Sequence, residues 1–449
     1  MKRYTGNRLA AICSRSIVFL WLSFSCVAFA DDLPRRGYVG IQAAPVPEEM
    51  RAQLALAPAQ GILVKGVLPS GPAQEAGILA NDVILKVNDI NITDPVQFTQ
   101  VVKSYHGGDK LQIALLRNRQ PFVKTLLIKP FPYETSPDYE ILYKSVTVDN
   151  ARRRVIITKP KAAGRHPAIF FVGGIGCYSL DNLPPSSPYG KIFSALTQKG
   201  FVTMRVEKTG MGDSEGVSCG SPQADLRMEV RGYVAGLRAL KSYDFVDSGN
   251  IFIFGHSIGG IVGPLVAQEV PVKGLIVAET VGTSWFEYLL ENRRRQYVIS
   301  GLPYDEIEKL ARQHESCIHR LYIEKQSIEQ IVKDSPPCAE LIQAPAPYTY
   351  LQQIGDINLA EMWKSIDLPV LVIYGTSDPA TSAEEHQYLT NVINSYHPGR
   401  AKFVRVENMD HVFERFASMR ESLAKTAPGE FQPALLDEIQ RWLMGALQG

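Results

Sequence analysis

The sequence has no marked excess of charge of either sign. Its 449 residues carry 47 Lys and Arg against 46 Asp and Glu, which leaves a formal net charge of +1. A nucleic-acid-binding surface needs clustered surplus cations, so this composition argues against a nucleic-acid partner. With 45% hydrophobic and 21% charged residues, the chain fits a globular protein and is not disordered. Its length exceeds that of one ordinary core and predicts two or three domains.

Long apolar runs are scarce, and the clearest one lies near the N-terminus. The stretch from Ser16 to Ala30 ends in Ala28-Phe29-Ala30 and is preceded by basic residues, namely Lys2, Arg3, Arg8 and Arg15. This pattern predicts a secretory signal peptide over residues 1–30, cleaved before Asp31. We therefore expect a periplasmic or secreted protein with no stable membrane span after cleavage. The alternative is an uncleaved anchor, although about 15 apolar residues are few against the ~20 that a spanning helix needs.

Cysteine is also scarce, with six in the chain. No C-x-x-C or Cys/His spacing of a zinc site occurs, and we predict no metal and no organic cofactor. Loss of Cys13 and Cys26 with the signal peptide would leave Cys177, Cys219, Cys317 and Cys338. In an exported chain this even number permits two disulfides in one of three pairings, with four buried thiols as the alternative.

Residues 36–130 have the pattern of a small β-rich module. Short β-branched runs at 61–68, 82–88 and 111–116 alternate with turns of Gly, Pro, Asn and Asp. Two short helices are predicted, one over 70–76 and one after Asp94, an N-cap that precedes Pro95. The stretch contains no Ser/His/acid cluster, so we expect it to recognise a partner and not to catalyse a reaction.

Two segments of this module resemble a bacterial HtrA-type PDZ domain. They are Gly37-Tyr-Val-Gly-Ile41 and the run from Gly61 to Ile90, which includes Ser-Gly-Pro-Ala-Gln-Glu-Ala-Gly-Ile. The resemblance implies that the backbone N–H groups of 38–41 (Tyr38, Val39, Gly40 and Ile41) hold a peptide's C-terminal carboxylate, while the adjacent strand edge pairs with that peptide. The alternative is a PDZ fold that only packs on its neighbour or builds a dimer.

After a proline-bearing linker, predicted at residues 131–142, the pattern changes. Continuous apolar runs alternate with amphipathic helical stretches and predict parallel strands buried on both faces. The runs are Val155–Thr158, Ala168–Val172, Val202–Val206, Ile251–Phe254, Gly274–Ala278, Val370–Tyr374 and Lys402–Val406. Gly, Ser and Asp residues follow several of these runs directly, where open α/β sheets place their sites.

The most specific motif is G-x-S-x-G at 255–259, between a predicted buried strand and a helix rich in small residues. This context predicts a nucleophile elbow with Ser257 on a sharp, strained turn, which requires glycine at Gly255 and Gly259. From about residue 143 to 449 the chain resembles the α/β-hydrolase family of serine hydrolases. The resemblance implies an α/β fold with a mostly parallel sheet, helices on both faces and a helical lid.

A serine hydroxyl is a poor nucleophile without a base, and the base needs an acid to hold it. In this family the chain order is Ser, acid, His. Asp378 follows the run that ends at Tyr374, and His411 follows the run that ends at Val406. We therefore predict a Ser257, Asp378, His411 triad, with Glu279 as the alternative acid.

Two backbone amides should stabilise the oxyanion formed on attack. One is predicted at Ile258, and the other lies in the loop 173–177, at Gly174 or Ile175. The resemblance also implies that loop 206–216 lies beside this oxyanion loop, which favours a Cys177–Cys219 pair. An insertion at about 285–362 would form the lid, with a Cys317–Cys338 bridge.

These observations predict an exported serine hydrolase that cleaves an ester or thioester through an acyl-enzyme, with a PDZ-like module that binds a peptide or protein tail. A peptidase, aminopeptidase-like in type, is the second reading, because a PDZ-like module could present a protein tail to the serine site. A non-catalytic binding protein is the third.

Overall fold

The computed structural model describes residues 33–342 and 344–448. The predicted signal peptide at residues 1–30 lies outside this range. Within the described residues, every helix is too short or too polar to cross a bilayer.

The N-terminal part is a small β-rich unit. It contains β1 (Gly37–Tyr38), β2 (Ile41–Pro45), α1 (Glu48–Gln53), β3 (Ile62–Val67), α2 (Pro72–Glu75), β4 (Val83–Val87), β5 (Ile90–Asn91), α3 (Pro95–Lys103), β6 (Lys110–Arg117), β7 (Gln120–Leu127) and β8 (Lys129–Pro130). Five strands form an antiparallel path in the order β2-β3-β4-β6-β7, with β5 paired to β4. The side chain of Asp94 caps α3 by accepting a hydrogen bond from the backbone N–H of Gln97. The predicted recognition unit thus has a core of its own, with Ile62, Ile84 and Leu111 fully buried in it.

An eight-stranded sheet forms the larger part of the molecule. Its strands are β9 (Tyr139–Val148), β10 (Ala151–Pro160), β11 (His166–Val172), β12 (Val202–Val206), β13 (Val246–His256), β14 (Gly274–Ala278), β15 (Val370–Gly375) and β16 (Ala401–Val406). They lie in the order β9-β10-β12-β11-β13-β14-β15-β16. The pairings β12-β11, β11-β13, β13-β14, β14-β15 and β15-β16 are all parallel. Their carboxyl ends therefore meet at one edge of the sheet.

The prediction of parallel strands is wrong for the run Val155–Thr158. This run belongs to β10, which pairs antiparallel with both β9 and β12. Val155, Ile156 and Ile157 are all fully buried, so the strand is covered on both faces. A continuous apolar run indicates burial on both faces, and a strand can be buried on both faces whether it is parallel or antiparallel to its neighbours. Strand β9 begins at Tyr139, within the stretch predicted as linker.

Helices cover both faces of the sheet. They are α4 (Pro188–Gln198), α5 (Leu226–Ser242), α6 (Gly259–Glu269), α13 (Ala383–Tyr396) and α15 (Ala434–Gln448). Side chains of the central strand β13 alternate between the two layers: Ile253 packs in the cluster with α5, α6 and α13, while Phe252 and Phe254 pack in the cluster with α4 and α15. Short elements complete this end of the chain, namely β17 (Glu414–Arg415), α14 (Met419–Ala424) and β18 (Glu430–Phe431).

Between β14 and β15, the described residues form six inserted helices. They are α7 (Trp285–Ser300), α8 (Tyr304–Tyr322), α9 (Ile328–Asp334), α10 (Cys338–Leu341), α11 (Tyr348–Gly355) and α12 (Leu359–Lys364). A disulfide joins Cys317 on α8 to Cys338 on α10. A second disulfide joins Cys177 to Cys219. Both bridges are the pairs that the family resemblance implied.

A buried arginine that precedes the small unit joins it to the large one. The guanidinium of Arg35 pairs with the carboxylates of Asp181, at 2.8 Å, and Asp213. Arg154 on β10 pairs with the same Asp213 at 2.9 Å. The side chains of Arg35 and both carboxylates are at most 3% exposed, so loss of Arg35 leaves two buried carboxylates with fewer partners.

We expect Arg35→Ala to destabilise the protein by about 3 kcal/mol, because it leaves Asp181 and Asp213 buried with fewer partners. The matched control is Arg152→Ala, which removes an exposed ion pair to Glu215 and should cost less than about 1 kcal/mol. Urea unfolding of both variants, followed by tryptophan fluorescence, measures the difference. Equal shifts in the two variants would contradict the assignment.

Candidate active site

Ser257 lies on a turn that only glycine neighbours allow. Its φ of 55° is in the left-handed region, and the turn joins β13 to α6. A Cβ at Gly255 would lie 2.2 Å from the carbonyl oxygen of Gly259, and a Cβ at Gly259 would lie 2.1 Å from the carbonyl oxygen of Val172. Such contacts are impossible, so the two glycines of the motif are required by the close approach of three backbone segments.

The side chain of His411 joins Ser257 to Asp378. Its Nε2 lies 3.1 Å from the Ser257 Oγ, and its Nδ1 lies 2.9 Å from the Asp378 Oδ2. Asp378 follows β15 and is fully buried, while His411 follows β16 and is half-buried. The three residues predicted from separate parts of the sequence are thus within hydrogen-bonding distance of one another.

The charges in this cluster favour a base that is poised to accept a proton. Burial lowers the pKa of His411, but the negative charge of Asp378 and the hydrogen bond to it outweigh burial and raise that pKa above its ordinary value. Burial raises the pKa of Asp378, but His411 and hydrogen bonds from His411, Glu279 and Thr381 hold it well below its ordinary value. Asp378 is therefore ionised, which fixes the Nδ1–H tautomer of His411 and leaves Nε2 free to accept.

Glu279, the alternative acid, is a partner of Asp378. Its Oε1 accepts a hydrogen bond from the backbone N–H of Gly375 at 2.6 Å. Burial and the charge of Asp378 raise the pKa of Glu279 well above its ordinary value, so that its protonated carboxyl donates a hydrogen bond to Asp378. Ligand atoms of Glu279, Asp378 and His411 lie within 4.8 Å of one another. Because Glu279 is neutral and its proton lies between the two carboxyl groups, the cluster has the chemistry of a hydrogen-bonded acid pair and not of a cation site.

His256 lies in the same site, although its position within the motif predicts no role for it. Its ring is 5.2 Å from the ring of His411, and its Nε2 donates to the backbone carbonyl of His411 at 2.7 Å. Burial and the neighbouring His411 lower the pKa of His256 to about 3, so it is neutral and its Nδ1 accepts from the hydroxyl of Tyr189. Asp410 shapes the same loop by accepting backbone N–H bonds from Val412, at 3.0 Å, and from Glu414.

The predicted oxyanion residues flank the nucleophile. Ile258 follows Ser257 directly and precedes α6, whose N-terminus carries a partial positive charge. A Cβ added to Gly174 would lie 3.6 Å from the Cβ of Ser257, so loop 173–177 runs next to the serine. The carbonyl of Gly174 accepts hydrogen bonds from Lys208 and Tyr178, neither of which was singled out in the sequence.

A cavity of about 400 Å³ opens beside the triad. Its walls are largely apolar and aromatic, and the residues that line it are Gly174, Ile175, Tyr178, Ser187, Pro188, Tyr189, His256, Ser257, His411 and Val412. A larger cavity of about 730 Å³ lies along α4, but its lining includes no member of the triad. The smaller cavity is therefore the one next to the reactive group.

The four residues predicted to bind peptide lie at one end of the small unit. Tyr38 pairs with Lys129, and the carbonyls of Val39 and Gly40 accept hydrogen bonds from the backbone of Ala73 and Leu68. Gly40 has a φ of 73°, and Ile41 begins β2. Among the described strands, β2 pairs only with β3, so its other edge carries backbone groups that an added strand could use.

The fold and the site define a serine hydrolase of the α/β-hydrolase class that carries a PDZ domain. The profile of the family described as Serine aminopeptidase, S33 matches residues 185–411, and that of the PDZ domain matches residues 37–124. The chain belongs to the Serine aminopeptidase, S33 family.

Similar proteins divide between the two parts of the chain. Esterase EstD of Thermotoga maritima is 21% identical over 302 residues, which cover 67% of each chain. A probable periplasmic serine endoprotease, DegP-like, of Brucella suis is 35% identical over 85 residues, which are 19% of this chain and 17% of that protein. The solved structure of Est1E from Butyrivibrio proteoclasticus has a TM-score of 0.41 at 16% identity and covers 66% of this chain and 99% of that one.

The two acids can be separated by their amide variants. We expect Asp378→Asn to lower kcat by about 10⁴-fold, because the neutral amide no longer holds the tautomer and charge of His411. We expect Glu279→Gln to lower kcat by less than about 10-fold, because the amide is still a neutral hydrogen-bond donor to Asp378. A loss of this size corresponds to the net free energy of about one hydrogen bond. Steady-state ester hydrolysis measures both, and Asp378→Asn should also move the acid limb of kcat/KM to lower pH. A larger loss in Glu279→Gln than in Asp378→Asn would instead assign the acid to Glu279.

Proposed function

We propose that this protein is an exported carboxylesterase-type serine hydrolase with Ser257, His411 and Asp378 as its catalytic triad. The observation that carries the proposal is the position of the imidazole, 3.1 Å from the Ser257 Oγ and 2.9 Å from the buried carboxylate. Support also comes from the similarity to Esterase EstD and from the family of the chain.

The reaction would proceed through an acyl-enzyme. His411 Nε2 takes the hydroxyl proton as Ser257 Oγ attacks the carbonyl carbon, and the amides of Ile258 and the oxyanion loop stabilise the oxyanion. Collapse breaks the bond to the leaving group, which receives the proton from His411. Water then attacks the acyl-enzyme with His411 as base, and the acid is released while Ser257 regains its proton.

The lining of the cavity favours an ester or thioester over the N-terminus of a peptide. An aminopeptidase must pair the ammonium group of its substrate with an anion, because a buried unpaired charge is costly. Among the described residues that line the cavity, none is a carboxylate, and Ile175, Pro188 and Val412 offer apolar contact. An uncharged acyl or alcohol group fits this chemistry better.

We further propose that the PDZ domain binds a peptide or protein tail at Tyr38 to Ile41, and that residues 1–30 direct export. The free edge of β2 and the positive φ of Gly40 support the first point. The two disulfides and the periplasmic relative that matches the PDZ domain support the second. An N-terminus at Asp31 in the periplasmic or secreted fraction, determined by Edman sequencing, would support cleavage, and an intact Met1 would refute it.

A fluorophosphonate probe tests the enzyme directly. We expect the wild type to be labelled and to hydrolyse short p-nitrophenyl acyl esters, while Ser257→Ala loses the label and about 10⁴- to 10⁶-fold of the ester activity. Ser395→Ala, a change of an exposed serine on α13, is the matched control and should behave as wild type. Faster turnover of aminoacyl p-nitroanilides than of esters would favour the aminopeptidase, and an unlabelled wild type would favour the non-catalytic binder.

The PDZ proposal is tested with two peptides that differ only at the C-terminus. We expect the full-length chain to bind a fluorescent peptide with a free, apolar C-terminal residue at least about 10-fold more tightly than its C-terminal amide. The reason is that backbone donors on a carboxylate form charge-assisted hydrogen bonds of roughly 1.5–3 kcal/mol. Fluorescence anisotropy measures both affinities. Equal affinity of the two peptides would indicate that the PDZ domain does not bind C-terminal carboxylates and only packs on the hydrolase domain.

A further inference from the structure

One carbonyl of the oxyanion loop is held by a buried cation. The Nζ of Lys208 donates to the carbonyl oxygen of Gly174 at 2.8 Å, and the hydroxyl of Tyr178 donates to the same oxygen at 3.0 Å. Lys208 is 7% exposed and lies on the loop that follows β12. Burial of a lysine is costly unless it serves a partner, and here one partner is a backbone oxygen next to the nucleophile.

The direction of this carbonyl fixes the direction of an amide. No cis peptide bond occurs in the described residues, so the C=O of Gly174 and the N–H of Ile175 point in opposite directions across one planar unit. The oxygen points to Lys208. The N–H of Ile175 therefore points away from Lys208, and Ile175 lines the cavity that contains Ser257.

Lys208 is itself held in place from the other side. Its Nζ lies 3.2 Å from the carboxylate of Glu229 on α5, and the hydroxyl of Tyr350 donates to Glu229 at 3.1 Å. Both charged side chains are at most 10% exposed. Helix α5 and the insertion thus fix the ammonium group before any substrate binds, which is the preorganisation that oxyanion stabilisation requires.

The cation also acts through the peptide unit. A positive charge at the carbonyl end draws electrons toward the oxygen and makes the N–H end a stronger donor, and this effect is large where water is excluded. The hydroxyl of Tyr178 polarises the same peptide unit in the same direction, but its effect is weaker because it is neutral. Lys208 therefore both orients and polarises the Gly174–Ile175 amide.

We propose that Lys208 is a positioning residue of the oxyanion hole and that the second donor is the amide of Ile175, not that of Gly174. This proposal rests on the proposed serine hydrolase activity. Lys208 touches no reacting atom; it acts through the peptide bond whose oxygen it holds. The competing explanation is that Lys208 serves only to neutralise Glu229 in the interior.

The test uses the double variant Lys208→Met/Glu229→Gln in the full-length chain, because Lys208→Met alone would leave Glu229 as a buried, unpaired charge. We expect kcat for a p-nitrophenyl ester to fall by about 10- to 100-fold with KM changed less than about 3-fold, since an oxyanion donor acts mainly in the transition state. Glu229→Gln alone should lower kcat less than the double variant does, because Lys208 still donates to the carbonyl of Gly174.

The matched control is Lys103→Met. The Nζ of Lys103, on α3, donates to the carbonyl of Gly210 on the same loop as Lys208. Its loss should leave kcat within about 3-fold of the wild type, because removal of one lysine-to-carbonyl hydrogen bond in that loop does not affect the Gly174–Ile175 amide.

Affinity for a boronic acid shows whether Lys208 positions the Ile175 amide or only stabilises the fold. A boronate forms a tetrahedral adduct with Ser257, so in the double variant its affinity should fall by the same factor as kcat/KM, while the affinity of the product acid is unchanged. A normal kcat in the double variant, an equal loss in Lys103→Met, or equal losses of boronate and product affinity would each overturn the role of Lys208. A wild type without label or ester hydrolysis would instead refute the proposed function.

Discussion

The site depends on the close contact of three backbone segments beneath Ser257. Gly255 and Gly259 meet each other, and Gly259 also meets Val172 at the end of β11. This contact holds the serine at a φ of 55° above the sheet, and α6 begins two residues later, at Gly259. It also draws the loop after β11 against the nucleophile. A side chain at Gly259 would separate the start of the oxyanion loop from the serine, and one at Gly255 would displace the start of α6. One steric constraint therefore positions both Ser257 and the backbone groups around it.

The proximity of Ser257, His411 and Asp378 could be predicted because it follows from strand order. Strands β13, β14, β15 and β16 are neighbours and parallel, so residues that follow them reach the same edge. The apolar runs and the residues after them are local signals. The sequence favours Asp378 but leaves Glu279 as an alternative, because both follow strands of the same edge. What separates them is burial and mutual charge, which make one carboxyl an anion and the other its neutral partner.

Residues that act on the site through another group carried no sequence signal. Lys208 contacts Gly174 and His256 contacts the carbonyl of His411, across 34 and 155 positions of the chain. Neither contact has a motif, because the partner is a backbone oxygen that every residue possesses. The antiparallel direction of β10 was hidden for a related reason: a strand buried on both faces has the same apolar pattern in either direction. Contacts between backbone groups that are distant in the chain can be identified only from the three-dimensional structure.

Ion pairs and hydrogen bonds join the two domains across the predicted boundary between them. Arg35 precedes the PDZ domain in the chain, yet its charge is neutralised by Asp181 and Asp213 of the hydrolase. Lys103, at the end of α3, donates to the loop on which Lys208 lies. Removal of residues 31–130 would therefore leave Asp181 and Asp213 without Arg35 and Gly210 without Lys103. A loss of activity on truncation would then not distinguish damage to the hydrolase from a loss of peptide delivery. The role of the PDZ domain has to be tested in the intact chain, with ligands that differ by one charge.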